Sequence, residues 1–502
     1  MNNGNRWLQP VTWPRPVWIS ILLIFALAFQ GYRGLYSPDE GRYTAAAIQM
    51  LEDGDFIHPR LHPEAPHFSK PPLTYWALAA SIGTFGRNEW AARLPGTLAF
   101  VATVLLIFRL GRRFTPDRPW LPALIYATCA MPYLAATMIT TDNLLTLFET
   151  LFGLSFVEIV FGDAAQRQRW QWVLGLAGGL SFLTKGPPGL LPLLAFAVYC
   201  YLRPESGGQR AAFSWRALLL FFVIGGMWYL KVIIDRPDLL QYFFVDEVFD
   251  RIATDARGRN PQWYGGITVY LPTLLIGGLP WLFPAAWNAW KRRGPSTNHW
   301  QRLRADAPRL LLWLWLVLPF VVFFFSRSRL PLYVLPLFVP LALLLGRNIP
   351  SFTSLRWNSA VLAWCVLLIA VRIGAGMIHS DSNDRDLAQA LRTLVHAPIN
   401  EVIFVRTPPR YGIDFYLDAF VERITLKDDK PGLETEPLAE ELEENEGCRL
   451  ILVEPSDETN LRRELDSLGV AYRVLGWARQ YRVFKEAASA CASSSTPSIA
   501  TR

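Results

Sequence analysis

The chain has 502 residues, 52% of them hydrophobic and 18% charged, with a formal net charge of +7 and a mean hydropathy of +0.20. The apolar residues come in long blocks, which excludes an ordinary soluble domain and points to a chain that crosses a bilayer many times. The basic excess does not imply nucleic acid. Many of the Lys and Arg residues sit in short loops separating apolar blocks, where they set orientation. The cysteines (Cys129, Cys200, Cys365, Cys448 and Cys491) form no C-x-x-C and no metal spacing, so neither a disulfide framework nor a zinc site is expected.

In chain order, Arg6 and Arg15 precede a first apolar segment over 17–35. Ala26-Leu27-Ala28 within it also fits a signal-peptidase site, and either reading brings the chain out at Tyr36. Further segments follow at 91–108, 119–138, 143–161, 171–184, 187–202, 216–234, 266–290, 309–325, 330–346 and 357–378, giving about eleven spans. With a cytoplasmic N-terminus, the even-numbered spans lead into loops carrying Arg109, Arg112, Arg113 and Arg118, then Arg167 and Arg169, then Lys291, Arg292 and Arg293. The short opposite loops carry few cations, and that asymmetry predicts the orientation. Two long loops, 36–89 and 233–265, fall on the outer side. Beyond about 379 no span is expected. Residues 379–486 read as a small α/β domain, with helix 384–396, strand 401–406, a short helix, strands 421–426 and 449–454, helix 458–468, and strand pieces at 471–475 and 480–485. Residues 487–502 are Ser/Ala-rich and read as a disordered tail. The fold class expected is an all-α polytopic membrane protein over 1–378 with a small C-terminal α/β extramembrane domain.

The first outer loop opens on Ser37-Pro38-Asp39-Glu40. Ser37 suits an N-cap, Pro38 the first helical position, and Glu40 a capping box. That leaves Asp39 free to face a cleft, with Arg42 three residues on and so on the same helix side. Lys70 stands beside two prolines that stiffen its backbone. Asp142 lies in a second, short outer loop. Lys185, Arg327, Arg329 and Tyr333 fall at the same membrane face. Lys185 and Arg327 read equally well as cations that snorkel to the interface. Cations there suit a phosphate, and carboxylates suit a hydroxyl or amine acceptor or a metal. His58, His62 and His67 could offer imidazoles to a metal, but a Pro-rich loop gives no helical face to align them.

The ordered set "DEGRY", "KPPLTYW", the second-loop acid, "LTKGPPGLLP" and "SRSRLPLYVLPL" resembles the aminoarabinose-transferase-like branch of the polyprenyl-phosphate-dependent glycosyltransferases. These are relatives of the protein O-mannosyltransferases with the GT-C fold. The resemblance implies an essential aspartate at Asp39, with Arg42 and Tyr43 as the basic and aromatic residues after it. It implies a carrier-phosphate lysine at Lys70, a second acid at Asp142, a tyrosine near the phosphate at Tyr333, and a phosphate-contacting arginine at Arg257 or Arg259. The chain departs from the family at Ser69, where an acid is common, and in "GRNPQWYGG", which lacks the family's histidine. Those positions belong to a metal site in some members, so no cofactor is expected and a divalent metal is left open.

The implied activity is an inverting transfer of a sugar from a polyprenyl-phosphate carrier to an envelope acceptor, lipid A or lipopolysaccharide first and protein or another glycan second. The implied setting is the bacterial inner membrane, with a cytoplasmic N-terminus and with the active site and C-terminal domain periplasmic. Membrane lipid is an expected partner and nucleic acid is not. A flippase of lipid-linked sugars would share the spans and the phosphate cations, but would place more charge in mid-span. A membrane-anchored sensor would have no need of Asp39, Lys70 and Asp142 together.

Overall fold

The computed structural model describes residues 14–63, 65–204, 213–243, 245, 259–291, 303–349, 355–427, 436–443 and 447–487. In chain order the helices begin with α1 (Arg15–Leu27), α2 (Asp39–Asp53), α3 (Leu73–Phe85), α4 (Glu89–Phe114), α5 (Trp120–Thr128), α6 (Ala130–Ala135), α7 (Asp142–Phe161), α8 (Arg167–Lys185) and α9 (Leu191–Leu202). They continue with α10 (Trp215–Asp235), α11 (Gly265–Gly277), α12 (Leu282–Lys291), α13 (Ala307–Phe325), α14 (Phe338–Asn348) and α15 (Leu355–Met377). The last are α16 (Asp384–Leu394), α17 (Gly412–Leu417) and α18 (Glu458–Ser467). Two compact units divide the chain. The first comprises Met1–Gln30, Ser69–Thr74 and Arg93–Ile373, and the second Gly31–Phe68, Tyr75–Ala92 and Gly374–Arg502.

The first unit is helical. Among the described residues, six helices are long and apolar enough to cross a membrane, and a seventh span forms if the bent pair α11 and α12 counts as one. The expected single span over 266–290 is therefore broken: its two halves meet at 87° across Leu279 and Pro280. Proline cannot donate to the helical ladder, so the turn falls there. The segment 119–138 also breaks, at Cys129, whose backbone is extended. Aromatic rings fill the interior. Phe156 and Phe196 stack 4.2 Å apart, and Trp315 lies so close to Gly153 that a Cβ there would stand 2.0 Å from its ring. The apolar α1 is part of this core. Ala26 is fully buried, and Arg372 of α15 donates to the carbonyls of Ala26 (2.8 Å), Ala28 (3.0 Å) and Tyr133 (2.6 Å). A buried arginine thus satisfies the end of a short helix where lipid offers no partner.

The second unit is an α/β sandwich. Its strands β1 (Glu401–Val405), β2 (Phe420–Thr425), β3 (Glu436–Pro437), β4 (Arg449–Val453), β5 (Tyr472–Ala478) and β6 (Tyr481–Glu486) form one sheet of order β3-β2-β1-β4-β6-β5. The β3-β2-β1-β4 side is parallel, and β6 and β5 close it antiparallel. β1 and β4 are buried along their whole length, as parallel strands covered on both faces must be. One face carries Val402, Phe404, Leu450 and Leu452 against Leu387 and Leu391 of α16 and Ala45, Ala46 and Met50 of α2. The other carries Ile403, Val405 and Ile451 against Leu461 and Leu465 of α18. Hence α2, which precedes the sheet by more than 340 residues, is part of the sheet's own core. The strands and helices expected over 379–486 are present, with the two-residue β3 at the edge and the short helix Leu438–Glu441 added. One expectation fails: Cys448 is disulfide-bonded, while Cys129, Cys200 and Cys365 are in no disulfide. Disulfides persist where the surroundings oxidise, and spacing alone does not reveal them.

Candidate active site

In the second unit the chemistry gathers at the start of α2. The expected capping role of Ser37 is not what forms. Helix α2 starts at Asp39 with Pro38 in the cap position and no side-chain cap bond. Ser37 Oγ instead donates to Asp384 of α16, at 2.8 Å from Oδ1 and 2.7 Å from Oδ2. Glu40 does turn back on the chain. Its Oε2 accepts from the Tyr36 backbone N–H at 2.8 Å, and its Oε1 pairs with Arg33 at 2.7 Å. Asp39 is left half-exposed and paired with Arg42 at 2.6 Å, as three-residue helical spacing allows. Tyr43 faces the ring of Tyr75 at 5.6 Å. Two acids in the first turn of α2 sit at the positive end of its dipole, the end where negative charge is favoured.

In the first unit a second cluster forms at one end of a helical hairpin. Helix α7 begins at Asp142 and α8 ends at Lys185, so packing the two antiparallel brings the acid and the lysine to the same end. Asp142 is at the positive end of its helix and Lys185 at the negative end of its own, each the favoured sign. Gly186, with φ of 72°, and Pro187-Pro188 then end α8. Lys185 Nζ lies 2.5 Å from Asp142 Oδ1 and 4.3 Å over the ring of Tyr333. Its side chain is 8% exposed, so it is a buried partner of Asp142 and does not snorkel. Tyr333 Oη accepts from Arg259 Nη1 at 3.3 Å. Arg329 is buried and spent on structure: Nη1 donates to the carbonyls of Asn260 and Gln262 at 2.8 Å each. Lys70, also in this unit, donates from Nζ to Ser69 O at 2.6 Å. Arg257 lies outside the described residues.

One residue of this cluster escaped sequence reading. Glu149 is buried and within Coulombic reach of both Lys185 and Asp142. Its signal was present: it lies seven residues after Asp142, two turns along the same face of α7.

The metal candidates separate. His58 Nδ1 pairs with Asp55 at 2.9 Å, His62 Nδ1 approaches Glu422 at 3.4 Å, and the buried His67 packs its ring against Tyr75. Burial pushes His62 down to about 4. Among the described residues, one group could supply three metal ligands: Glu401, Glu422 and Glu441 in the second unit. Arg449 already stands among these acids, hydrogen-bonded to Glu401 and 3.0 Å from Glu441. The protein thus supplies a cation of its own there.

Comparison with known proteins agrees with this architecture. The dolichyl-phosphate-mannose-protein mannosyltransferase family matches residues 69–229. Among curated proteins, the chain is 33% identical over 350 residues to the undecaprenyl phosphate-alpha-4-amino-4-deoxy-L-arabinose arabinosyl transferase of Edwardsiella ictaluri, covering 67% of this chain and 60% of that protein. It is 32% identical over 375 residues to the protein of the same name from Pectobacterium carotovorum, covering 71% and 65%. The chain thus spans less than two thirds of the length of these relatives. A crystal structure of ArnT from Cupriavidus metallidurans bound to undecaprenyl phosphate superposes with a TM-score of 0.77 at 19% identity, covering 96% of this chain and 99% of that one. The fold is therefore ArnT-like, of the GT-C kind, and the family resemblance read from the motifs holds in both sequence and fold.

Proposed function

We propose that the protein is an integral membrane glycosyltransferase. It moves a sugar from a polyprenyl-phosphate carrier to an envelope acceptor, with lipid A or lipopolysaccharide first and protein or another glycan second. The observation that carries this reading is the likeness in sequence to arabinosyl transferases named for an undecaprenyl phosphate-linked sugar, 33% over 350 residues. The buried ion pair of Asp142 and Lys185, with Tyr333 and Arg259 beside it, is the chemistry such a donor calls for.

In the proposed reaction the anomeric carbon–phosphate oxygen bond breaks and the acceptor oxygen bonds to the anomeric carbon from the opposite side, inverting it. Asp39 orients the acceptor and takes its proton when it is a hydroxyl; a phosphate acceptor is already anionic and needs positioning alone. Arg42, Tyr43, Lys70, Tyr333 and an arginine at 257 or 259 stabilise the charge that grows on the departing carrier phosphate. Asp142 fixes Lys185, whose ammonium adds to that field. We further propose about eleven spans over 1–378 with the loops 36–89 and 233–265 outside, a periplasmic domain over 379–486 and a tail over 487–502. The N-terminus is cytoplasmic and the membrane is a bacterial inner membrane. Mass spectrometry of envelope lipids and glycoproteins from cells with and without the protein tests the reading. One lipid A species heavier by a sugar residue should vanish with it, and identical profiles would reject the proposal.

A further inference from the structure

The residues that fix Asp39 in space come from the far end of the chain. Asp384 is fully buried, and its two carboxylate oxygens accept from Ser37 Oγ, 347 residues away in sequence. Arg410 Nε donates to the same carboxylate at 2.7 Å, and its Nη1 reaches Asp381 O at 2.5 Å. The backbone repeats the connection: Ser37 N–H donates to Ser382 O at 3.0 Å and Asp384 N–H to Leu35 O at 2.9 Å, with a bridge pairing Tyr36 and Asn383. Two glycines close the joint. A Cβ on Gly41 would stand 2.4 Å from Gly412 N, and one on Gly412 would stand 2.0 Å from Asp384 Oδ2, so α2 and α17 meet backbone to backbone. Tyr416 of α17 completes it. Its hydroxyl accepts from Leu35 N–H at 2.8 Å and donates to Glu89 at 2.9 Å, and Glu89 is held in turn by Arg385 at 2.6 Å.

A loop that needed only to be tethered would be satisfied by the apolar contacts of α2 with the sheet. Here a buried carboxylate, whose desolvation is costly, is spent on the residue two before Asp39. Burial pushes Asp384 up to about 6, against the pull of Arg410 and Ser37. Such an arrangement gains nothing in hydrophobic energy, and what it does supply is a defined position and direction for the first turn of α2.

We propose that Asp384, acting through Ser37, is a positioning residue for the transfer reaction. The C-terminal α/β element is then the template that aims Asp39 and Arg42, rather than a separate binding module. The inference rests on the glycosyl-transfer reading. A misplacement of about 1 Å costs about 10²-fold in rate, so the loss should fall on kcat.

The test is steady-state transfer by the full-length detergent-purified protein, using a polyprenyl-phosphate sugar as donor and lipid A as acceptor. Asp384→Asn and Ser37→Ala should each lower kcat by about 10-fold to 10²-fold with KM for the donor held within about twofold. Ser37→Thr, which keeps the hydroxyl, should recover most of the rate. The double variant Ser37→Ala/Asp384→Asn should lose no more than the worse single one, because both remove one interaction. Asp457→Asn, which breaks the 2.9 Å pair with Arg406 in the same domain, should leave kcat unchanged. Two results overturn the inference while Asp39→Asn still abolishes transfer: unchanged kcat in folded Asp384→Asn and Ser37→Ala, or losses explained wholly by less folded protein with normal rate per folded molecule. Full activity in Asp39→Asn would instead overturn the underlying reading together with the inference.

Discussion

The Asp142–Lys185 and Asp39–Arg42 pairs differ in what surrounds them. Asp142 and Lys185 are buried together at the mouth of a helical hairpin, with 6% and 8% of their side chains exposed. Asp39 and Arg42 pair at the same close range on α2, yet 40% and 30% of those side chains reach solvent. Burial makes the first pair interdependent, because neither charge can be removed without stranding the other. Exposure leaves the second pair able to exchange partners, as the base proposed for Asp39 would have to do. In the proposed reaction the buried pair is architecture that also sets a field, and the exposed pair carries the chemistry.

Several substitutions would break or sharpen this contrast. The largest effect is expected at the exposed pair: Asp39→Asn should lower transfer by about 10³-fold, within the span general-base loss produces, with the thermal midpoint almost unmoved. At the buried pair the order reverses. Lys185→Met leaves the Asp142 carboxylate stranded and should cost about 3–5 kcal/mol of stability, read as a lower thermal midpoint in detergent. Adding Asp142→Asn should restore the midpoint without restoring transfer. Equal destabilisation in single and double variants would refute the interdependence. Tyr333→Phe removes only the hydroxyl that meets Arg259 and should cost about 1 kcal/mol, or under tenfold in transfer.

The smallest effect concerns pH. Burial, first among several causes, pushes Glu401 and Glu441 up to about 8 from an ordinary 4.5. A raised native value means the folded state holds the proton more tightly than the unfolded one. That contribution to stability is complete below about 4.5 and is lost as pH rises through about 8. The thermal midpoint should therefore decline from about pH 4.5 to about pH 8, and decline less in Glu441→Gln.

Local signals in the sequence carried far, and their failures have physical causes. The alternation and composition of "EVIFV" and "RLILV" were enough to place β1 and β4, because buried parallel strands read as unbroken apolar runs. Asp39 with Arg42, and the acid and lysine at Asp142 and Lys185, were visible as residues; only the antiparallel packing of α7 and α8 joins the latter two. Ser37 was misread because a capping box is a local rule, and a carboxylate 347 residues away outbid it. The 87° break at Pro280 was missed because hydropathy continues across it. Glu149 was overlooked because one acid in an apolar run does not disturb a span, although its spacing from Asp142 marks the same helix face.

The most direct measurement is single-turnover transfer in proteoliposomes loaded with a labelled polyprenyl-phosphate sugar and lipid A, wild type beside Asp39→Asn. The account expects labelled lipid A and free carrier phosphate in equal amounts from the wild type, and neither from folded Asp39→Asn. Label that crosses the bilayer still attached to its carrier, at equal rates in both proteins, would contradict it.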